Sequence, residues 1–298
     1  MNKLVAILGP TAVGKTRLAS RLAYEFNGEI ISADSRQVFR GMDIGTGKDL
    51  QDYTVNGSEI AKYLIDIKNP DEEFNLFLFV KEFYKSFDNI VSRGKLPFLA
   101  GGTGLYLSSI LQGYKLKEAE FRDDLYADMT LEEILGKLQA YKNKLHNITD
   151  IQDKERALRA LQIFEAEREL NMPVEKIEPL VIGVYLERDE IKERITERLK
   201  ARLNSGMIDE VKALLDKGVT YERLMFFGLE YKYISLYLQG SLNYNDMFQK
   251  LNSSIHAFAK RQMTWFRKME KEGVKINWIE RDDIQKAGQL IGQYIKNN

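Results

Sequence analysis

Apolar positions in this chain gather first into short unbroken runs and only later into helical spacing. Lys3 to Leu8, Glu29 to Ala33, Tyr63 to Ile67, Leu96 to Ala100 and Leu180 to Leu186 read as five strands. Lys15 to Glu25 reads as a helix, and so does an aromatic-rich stretch from about Glu73 to Arg93 that follows the break Asn69-Pro70-Asp71. Beyond the fifth strand the chain turns helical and heavily charged, at Asp189 to about Asn204, Asp209 to Lys217 and Tyr244 to Glu272, before a last edge strand at Lys275 to Ile279. Strands alternating with helices predict an α/β fold, a parallel sheet with crossover helices. Residues 113–149 are polar and helix-forming without strand signals, which predicts a small helical insert in a core made of 1–112 and 150–298.

Composition narrows the chemistry. The chain has 298 residues, 44% of them hydrophobic, enough for one large α/β core with a small insert. It contains no cysteine and two histidines, His146 and His256, so a disulfide framework is excluded and a zinc site is not expected. Lys plus Arg and Asp plus Glu both total 44, which excludes a generally cationic nucleic-acid coat and leaves only local basic patches.

The first strand runs into Gly9-Pro10-Thr11-Ala12-Val13-Gly14-Lys15-Thr16, a full match to GxxxxGK[ST] in its strand-loop-helix setting. Such a loop turns backbone amides and a helix N-terminus toward phosphate oxygens, adds the Lys15 charge, and offers the Thr16 hydroxyl to Mg²⁺. A diphosphate or triphosphate is therefore the expected ligand, and the loop alone leaves open whether it belongs to ATP. The loop begins within ten residues of Met1, so the sequence reads as having no N-terminal signal or membrane span, with a cytoplasmic location expected.

In open parallel sheets ligands sit beyond the carboxyl ends of the strands. Two further loops at that edge are chemically unusual: Asp34-Ser35-Arg36-Gln37 after the second strand, and Gly101-Gly102-Thr103-Gly104 after the fourth. Taken singly, Asp34 reads first as an N-cap or turn residue and the glycine run as a tight turn beneath a packed helix. Beside a phosphate loop, both shift toward a site.

These blocks resemble bacterial tRNA dimethylallyltransferase. The likeness rests on residues 9–16, on Asp34-Ser35-Arg36-Gln37-Val38-Phe39-Arg40-Gly41-Met42-Asp43-Ile44-Gly45-Thr46, on Leu64-Ile65-Asp66, and on Gly101 to Tyr106. Arg156 and Arg159 resemble that family's paired-arginine helix, and Ala259 to Arg267 its C-terminal signature. The resemblance implies a P-loop NTPase-like fold and prenyl transfer from dimethylallyl diphosphate to N6 of the adenosine 3′-adjacent to the tRNA anticodon. It implies that Gly9, Pro10, Thr11, Ala12, Val13, Gly14, Lys15 and Thr16 bind the diphosphate, with Mg²⁺ on Thr16. Asp34, Lys15, Thr103 and Arg194 take catalytic positions, Asp34 accepting the N6 proton. Asp34, Ser35, Arg36, Gln37, Arg122, Arg156 and Arg159 are the implied tRNA contacts, the insert meeting the anticodon stem-loop of a monomeric enzyme.

Departures from the family pattern fall at Lys62-Tyr63, where a His is common, at Gly228-Leu229, where Gly-Tyr is usual, and at Glu155-Arg156, where Gln-Arg is usual. Phe74, Phe77, Phe79, Phe83, Tyr84 and Phe87 read chiefly as the core face of a helix, with a prenyl pocket as the other reading. The reading from another class is a P-loop kinase or NTPase using ATP, with Asp66 orienting Mg²⁺.

Overall fold

The structure, a computed structural model, describes residues 2–114, 116, 125–126, 128–140, 154–165 and 177–296. Its residues divide into two compact units, 1–113 with 174–298, and 114–173.

The larger unit is built on a six-stranded parallel sheet in the order β5-β2-β6-β1-β7-β8, formed by β1 (Asn2–Leu8), β2 (Gly28–Ala33), β5 (Lys62–Tyr63), β6 (Leu96–Gly101), β7 (Ile177–Tyr185) and β8 (Ile276–Glu280). A separate two-residue hairpin joins β3 (Thr54–Val55) to β4 (Ser58–Glu59). The central strand β1 is paired on both sides, and Leu4 to Leu8 are fully buried. An unbroken apolar run suits that place because both sheet faces are covered.

Helix α1 (Lys15–Glu25) follows β1 and buries Leu18, Ala19, Leu22 and Ala23. Helix α2 (Leu76–Ser92) starts at Asn75, whose side chain accepts a 3.0 Å hydrogen bond from the Leu78 amide. Its aromatic stripe is core: Phe79, Phe83 and Phe87 are at most 1% exposed, and Tyr106 of α3 (Gly104–Leu111) stacks on Phe79 at 3.9 Å between centroids.

Past β7 come α6 (Arg188–Asn204), α7 (Met207–Asp216), α8 (Tyr221–Phe226), α9 (Leu229–Leu238), the long α10 (Tyr244–Lys271) and, after β8, α11 (Ile284–Lys296). In the smaller unit α4 (Leu131–Leu138) and α5 (Lys154–Glu165) share a core of Ile134, Leu138, Ala157, Ala160 and Leu161.

Two expectations change. The third strand stops at Tyr63 instead of Ile67, because Leu64 and Asp66 take φ of +62° and +54°. The Asp66 and Ile67 amides then bond to the Gln37 and Val38 carbonyls at 3.1 and 2.9 Å, so loop contacts replace the ladder. The small unit extends to residue 173, beyond the expected 149, and takes in α5. The apolar face of α5 finds its partner in α4, which composition between 113 and 149 did not reveal.

Candidate active site

Three loops meet at the carboxyl edge of β1, β2 and β6. Gly9 opens the phosphate loop at φ +156°, and a Cβ there would lie 2.6 Å from the Val184 carbonyl oxygen of β7, so only glycine lets the loop leave the sheet along this path. Gly14 caps α1 in the left-handed region, and neither a side-chain cap nor an acidic residue occupies the helix's first turn. Its leading amides and positive end are thus left for an anion. Lys15 folds back so that its ammonium donates to the Pro10 carbonyl at 2.6 Å. Burial, reinforced by the Arg198 charge and opposed by Asp34, lowers Lys15 to about 7.

Helix α6 supplies further cations along one face, since residues four apart share a face. Arg194 donates from Nε to the Ala12 carbonyl at 3.0 Å, and Arg198 donates to the Thr11 hydroxyl. Arg202, one turn further, lies 3.8 Å from the Asp49 carboxylate. Burial, then the neighbouring Arg202, pushes the Arg198 guanidinium down from its usual range. Of this row, sequence reasoning singled out Arg194 alone. The spacing Arg194, Arg198, Arg202 was the available signal, masked by the equally regular glutamates of the same helix.

At the end of β2, Asp34 Oδ1 accepts from the Arg36 amide at 2.9 Å and from the Gln37 amide at 3.4 Å. Asp34 therefore makes the turn it was expected to make as an ordinary loop residue, and it also lines a cavity. The Thr103 hydroxyl accepts the Ser35 amide at 3.1 Å, which ties the second loop to the third and leaves its own proton to donate elsewhere. Gln262 of α10 accepts the Thr11 amide and donates to the Gly102 carbonyl, each at 2.8 Å. Trp265, one turn on, donates to the Ser108 hydroxyl at 2.7 Å.

Beside these groups lies a cavity of about 150 Å³, whose lining does not include Lys15, Thr16 or Arg194. Thr11, Asp34, Thr103, Arg198, Arg202 and Glu230 give it polar walls, while Phe227, Leu229, Ile255 and Phe258 make an apolar side. Burial raises the Glu230 carboxyl above its usual range, against the pull of Arg202 and Arg198. The apolar side comes from residues that the sequence did not single out, and none of the α2 aromatics belongs to it.

The remaining implied contacts are dispersed. Arg36 lines the cavity and lies over the Phe226 ring at 4.9 Å, whereas the Gln37 side-chain nitrogen donates to the Gly47 carbonyl at 3.2 Å and its oxygen accepts from the Ser32 hydroxyl. Arg159 is exposed on α5 in the smaller unit; of Arg156 only the backbone is described, and Arg122 lies outside the described residues. The loop that follows Gln37 is held by Glu210 of α7, whose carboxylate accepts the amides of Asp43, Ile44 and Gly45 at 2.7–3.0 Å. Asp66, the magnesium-orienting acid of the kinase reading, is paired with the buried Lys48 ammonium and does not line the cavity.

A catalytic role for His256 is not indicated, since its ring packs between α6 and α10 within 3.3–3.5 Å of the Lys192 carbonyl and the Thr196 hydroxyl. Among the described residues no cluster of three His, Cys, Asp or Glu side chains could hold a metal ion, and no helix is long and apolar enough to cross a membrane.

Comparison with known proteins gives a consistent answer. The IPP transferase family model matches residues 37–269, and an isopentenyl transferase model matches residues 2–66. A tRNA dimethylallyltransferase 1 of Syntrophus aciditrophicus is 51% identical over 293 residues, 96% of each chain. A tRNA dimethylallyltransferase 2 of Phocaeicola vulgatus is 50% identical over 300 residues, 97% of each. The full-length tRNA isopentenylpyrophosphate transferase of Bacillus halodurans superimposes with a TM-score of 0.71 at 32% identity, over 100% of this chain and 96% of that one. A eukaryotic dimethylallyltransferase acting on tRNA shares the fold, with a TM-score of 0.79 at 23% identity, over 100% of this chain and 80% of that one. A match over most of the length, with half of all residues identical in aligned relatives, does not arise from a shared phosphate loop alone; the chain belongs to the tRNA dimethylallyltransferase (IPP transferase) family.

Proposed function

We propose that this protein transfers the dimethylallyl group of dimethylallyl diphosphate to N6 of the adenosine 3′-adjacent to the anticodon of a tRNA. The observation that carries this reading is a single cavity walled at once by Thr11 of the phosphate loop, by Arg198, and by Asp34 and Thr103. A carboxylate base serves phosphoryl transfer as well, so the choice of prenyl transfer rests on this pair together with the family the chain belongs to. A prenyl transfer to an amine uses the pair directly.

The exocyclic amine of adenine is a weak nucleophile, so the reaction leans on stabilising the departing diphosphate. The amides at the start of α1, Lys15, Arg194 and Arg198 supply that stabilisation. As the bond between N6 and the allylic carbon forms, the bond from that carbon to the diphosphate oxygen breaks and diphosphate leaves with its electron pair. The N6 proton passes to Asp34; a carboxylate suffices, because the amine becomes strongly acidic once alkylated. Thr103, its hydroxyl oxygen already bonded to the Ser35 amide, has its proton available to orient a substrate acceptor atom. The five-carbon chain fits the apolar side formed by Phe227, Leu229, Ile255 and Phe258.

Magnesium suits this donor set. It keeps several waters and is held largely by substrate phosphates, so the Thr16 hydroxyl would be its protein ligand with the diphosphate supplying the others, and it would neutralise charge on the diphosphate. The base must leave the anticodon loop to reach the cavity. Arg36, Arg159, Arg156 and Arg122 are the contacts proposed for the RNA, and a monomer in the cytoplasm is the setting this reading implies.

Labelled dimethylallyl diphosphate incubated with the protein, Mg²⁺ and bulk tRNA tests the proposal. Label is expected in a prenylated adenosine after nuclease digestion. ATP hydrolysis with no label in tRNA would refute it.

A further inference from the structure

Two loops must act together in this reaction, the phosphate loop on the prenyl donor and the Gly101–Gly104 loop, through Thr103, on the acceptor side. They come from different strands, and one side chain joins them. The Gln262 carboxamide oxygen accepts the Thr11 amide and its nitrogen donates to the Gly102 carbonyl, both at 2.8 Å. Gln262 is 7% exposed, so these bonds are shielded from water, and it lines the cavity between the two loops. The fit also constrains its partner: a Cβ on Gly102 would stand 2.5 Å from the Gln262 amide nitrogen. Gly102 is thus bare where the amide needs to approach.

We infer that Gln262 is a positioning residue that sets the distance between the donor loop and the acceptor loop, through one acceptor and one donor on a single rigid amide plane. This inference rests on the prenyl-transfer reading and adds to it a device for alignment. Binding each substrate requires only its own loop, whereas reaction requires both in register. Loss of the bridge therefore appears in kcat and leaves each KM nearly unchanged. Serine, threonine and ionised acids cannot replace it, since a carboxamide offers a fixed acceptor and a fixed donor on one carbon.

The test uses two variants of the full chain, with kcat, both KM values and the melting temperature measured for each. Gln262→Met keeps the length and loses both bonds; kcat is expected to fall roughly 10- to 100-fold with KM for dimethylallyl diphosphate and for tRNA within about threefold. Gln262→Glu keeps the shape, and its ionised form can accept from Thr11 but cannot donate to Gly102. Its protonated form can do both. The ratio of its kcat to that of the wild type is therefore expected to rise at least severalfold between about pH 8 and about pH 6. A residue that merely filled space would not produce that rise, and the ratio remains readable if the methionine variant folds poorly. An unchanged kcat in Gln262→Met, or a flat pH ratio in Gln262→Glu, overturns the inference. Wild-type protein that puts no label into tRNA overturns the proposed function itself, and an active wild type whose variants keep its kcat and pH profile overturns the bridge alone.

Discussion

Lys15 is held in a place that opposes its charge, and this has a measurable effect on stability. Its ordinary value is 10.5 and the folded protein lowers it to about 7, mainly through burial. Between those two values the unfolded chain binds a proton that the folded chain has released, so stability rises with pH across the window from about 7 to about 10.5. Below about 7 both states are protonated, and the folded state carries the full penalty of a poorly solvated ammonium. At ~1.4 kcal/mol per tenfold, that penalty has an upper limit of about 5 kcal/mol. Against it stands the hydrogen bond to the Pro10 carbonyl, a contribution of about 1.5–3 kcal/mol for a charged donor.

Replacing Lys15 with methionine keeps the aliphatic stem and removes the charge. The variant is expected to be more stable than the wild type by roughly 1–3 kcal/mol near pH 6.5, with the difference fading toward pH 10. Urea unfolding at several pH values, followed by circular dichroism, reads this directly. Inorganic diphosphate supplies the missing counter-charge, so saturating diphosphate should raise the wild-type midpoint more than that of Lys15→Met. A variant less stable than the wild type at pH 6.5, or a difference that does not change with pH, would refute the reasoning. Either result would mean that Lys15 is well solvated or fully paired before any phosphate arrives.

Asp34→Ala is expected to lower kcat by about 10²- to 10⁴-fold while the affinity for inorganic diphosphate, measured calorimetrically, stays within about threefold. A collapse of that affinity would assign Asp34 to the phosphate side. Arg198→Ala removes the guanidinium bonded to Thr11, and both kcat and the diphosphate affinity should fall by at least tenfold; an unchanged affinity would take Arg198 out of the phosphate side. Glu210→Ala strips the Asp43, Ile44 and Gly45 amides and the Tyr231 hydroxyl of their acceptor, and a loss of about 2–4 kcal/mol is expected in urea melts. A loss under about 1 kcal/mol would mean that water satisfies the loop equally well.

The sheet was legible because each strand is a local run whose burial is uniform, and β1, β2 and β6 appear within a residue of where periodicity put them. The third strand was misjudged for a non-local reason: Tyr63 to Ile67 is apolar enough to continue, but the 37–38 carbonyls draw its amides away. Helices α8 and α9 escaped notice because their apolar faces are completed by tertiary partners, as where Phe227 meets Phe39 and Tyr231 meets Glu210. The site divided along the same line. Residues in loops that directly follow a strand, Asp34 and Thr103, were legible as cavity-lining residues, since strand ends converge by topology. Arg198, Glu230, Phe258 and Gln262 sit on helices more than 90 residues from Thr103 in sequence, and nothing in their own spacing separates a helical residue facing a cavity from one facing water. Motif loops thus name the ligand class, while the groups proposed to align two substrates and to shape a prenyl side lie on helices whose orientation is fixed only by the packed fold. Variants that alter chain-length preference or alignment without abolishing diphosphate binding should therefore be sought on α9 and α10, where Leu229, Ile255, Phe258 and Gln262 face the cavity, and not in the phosphate loop.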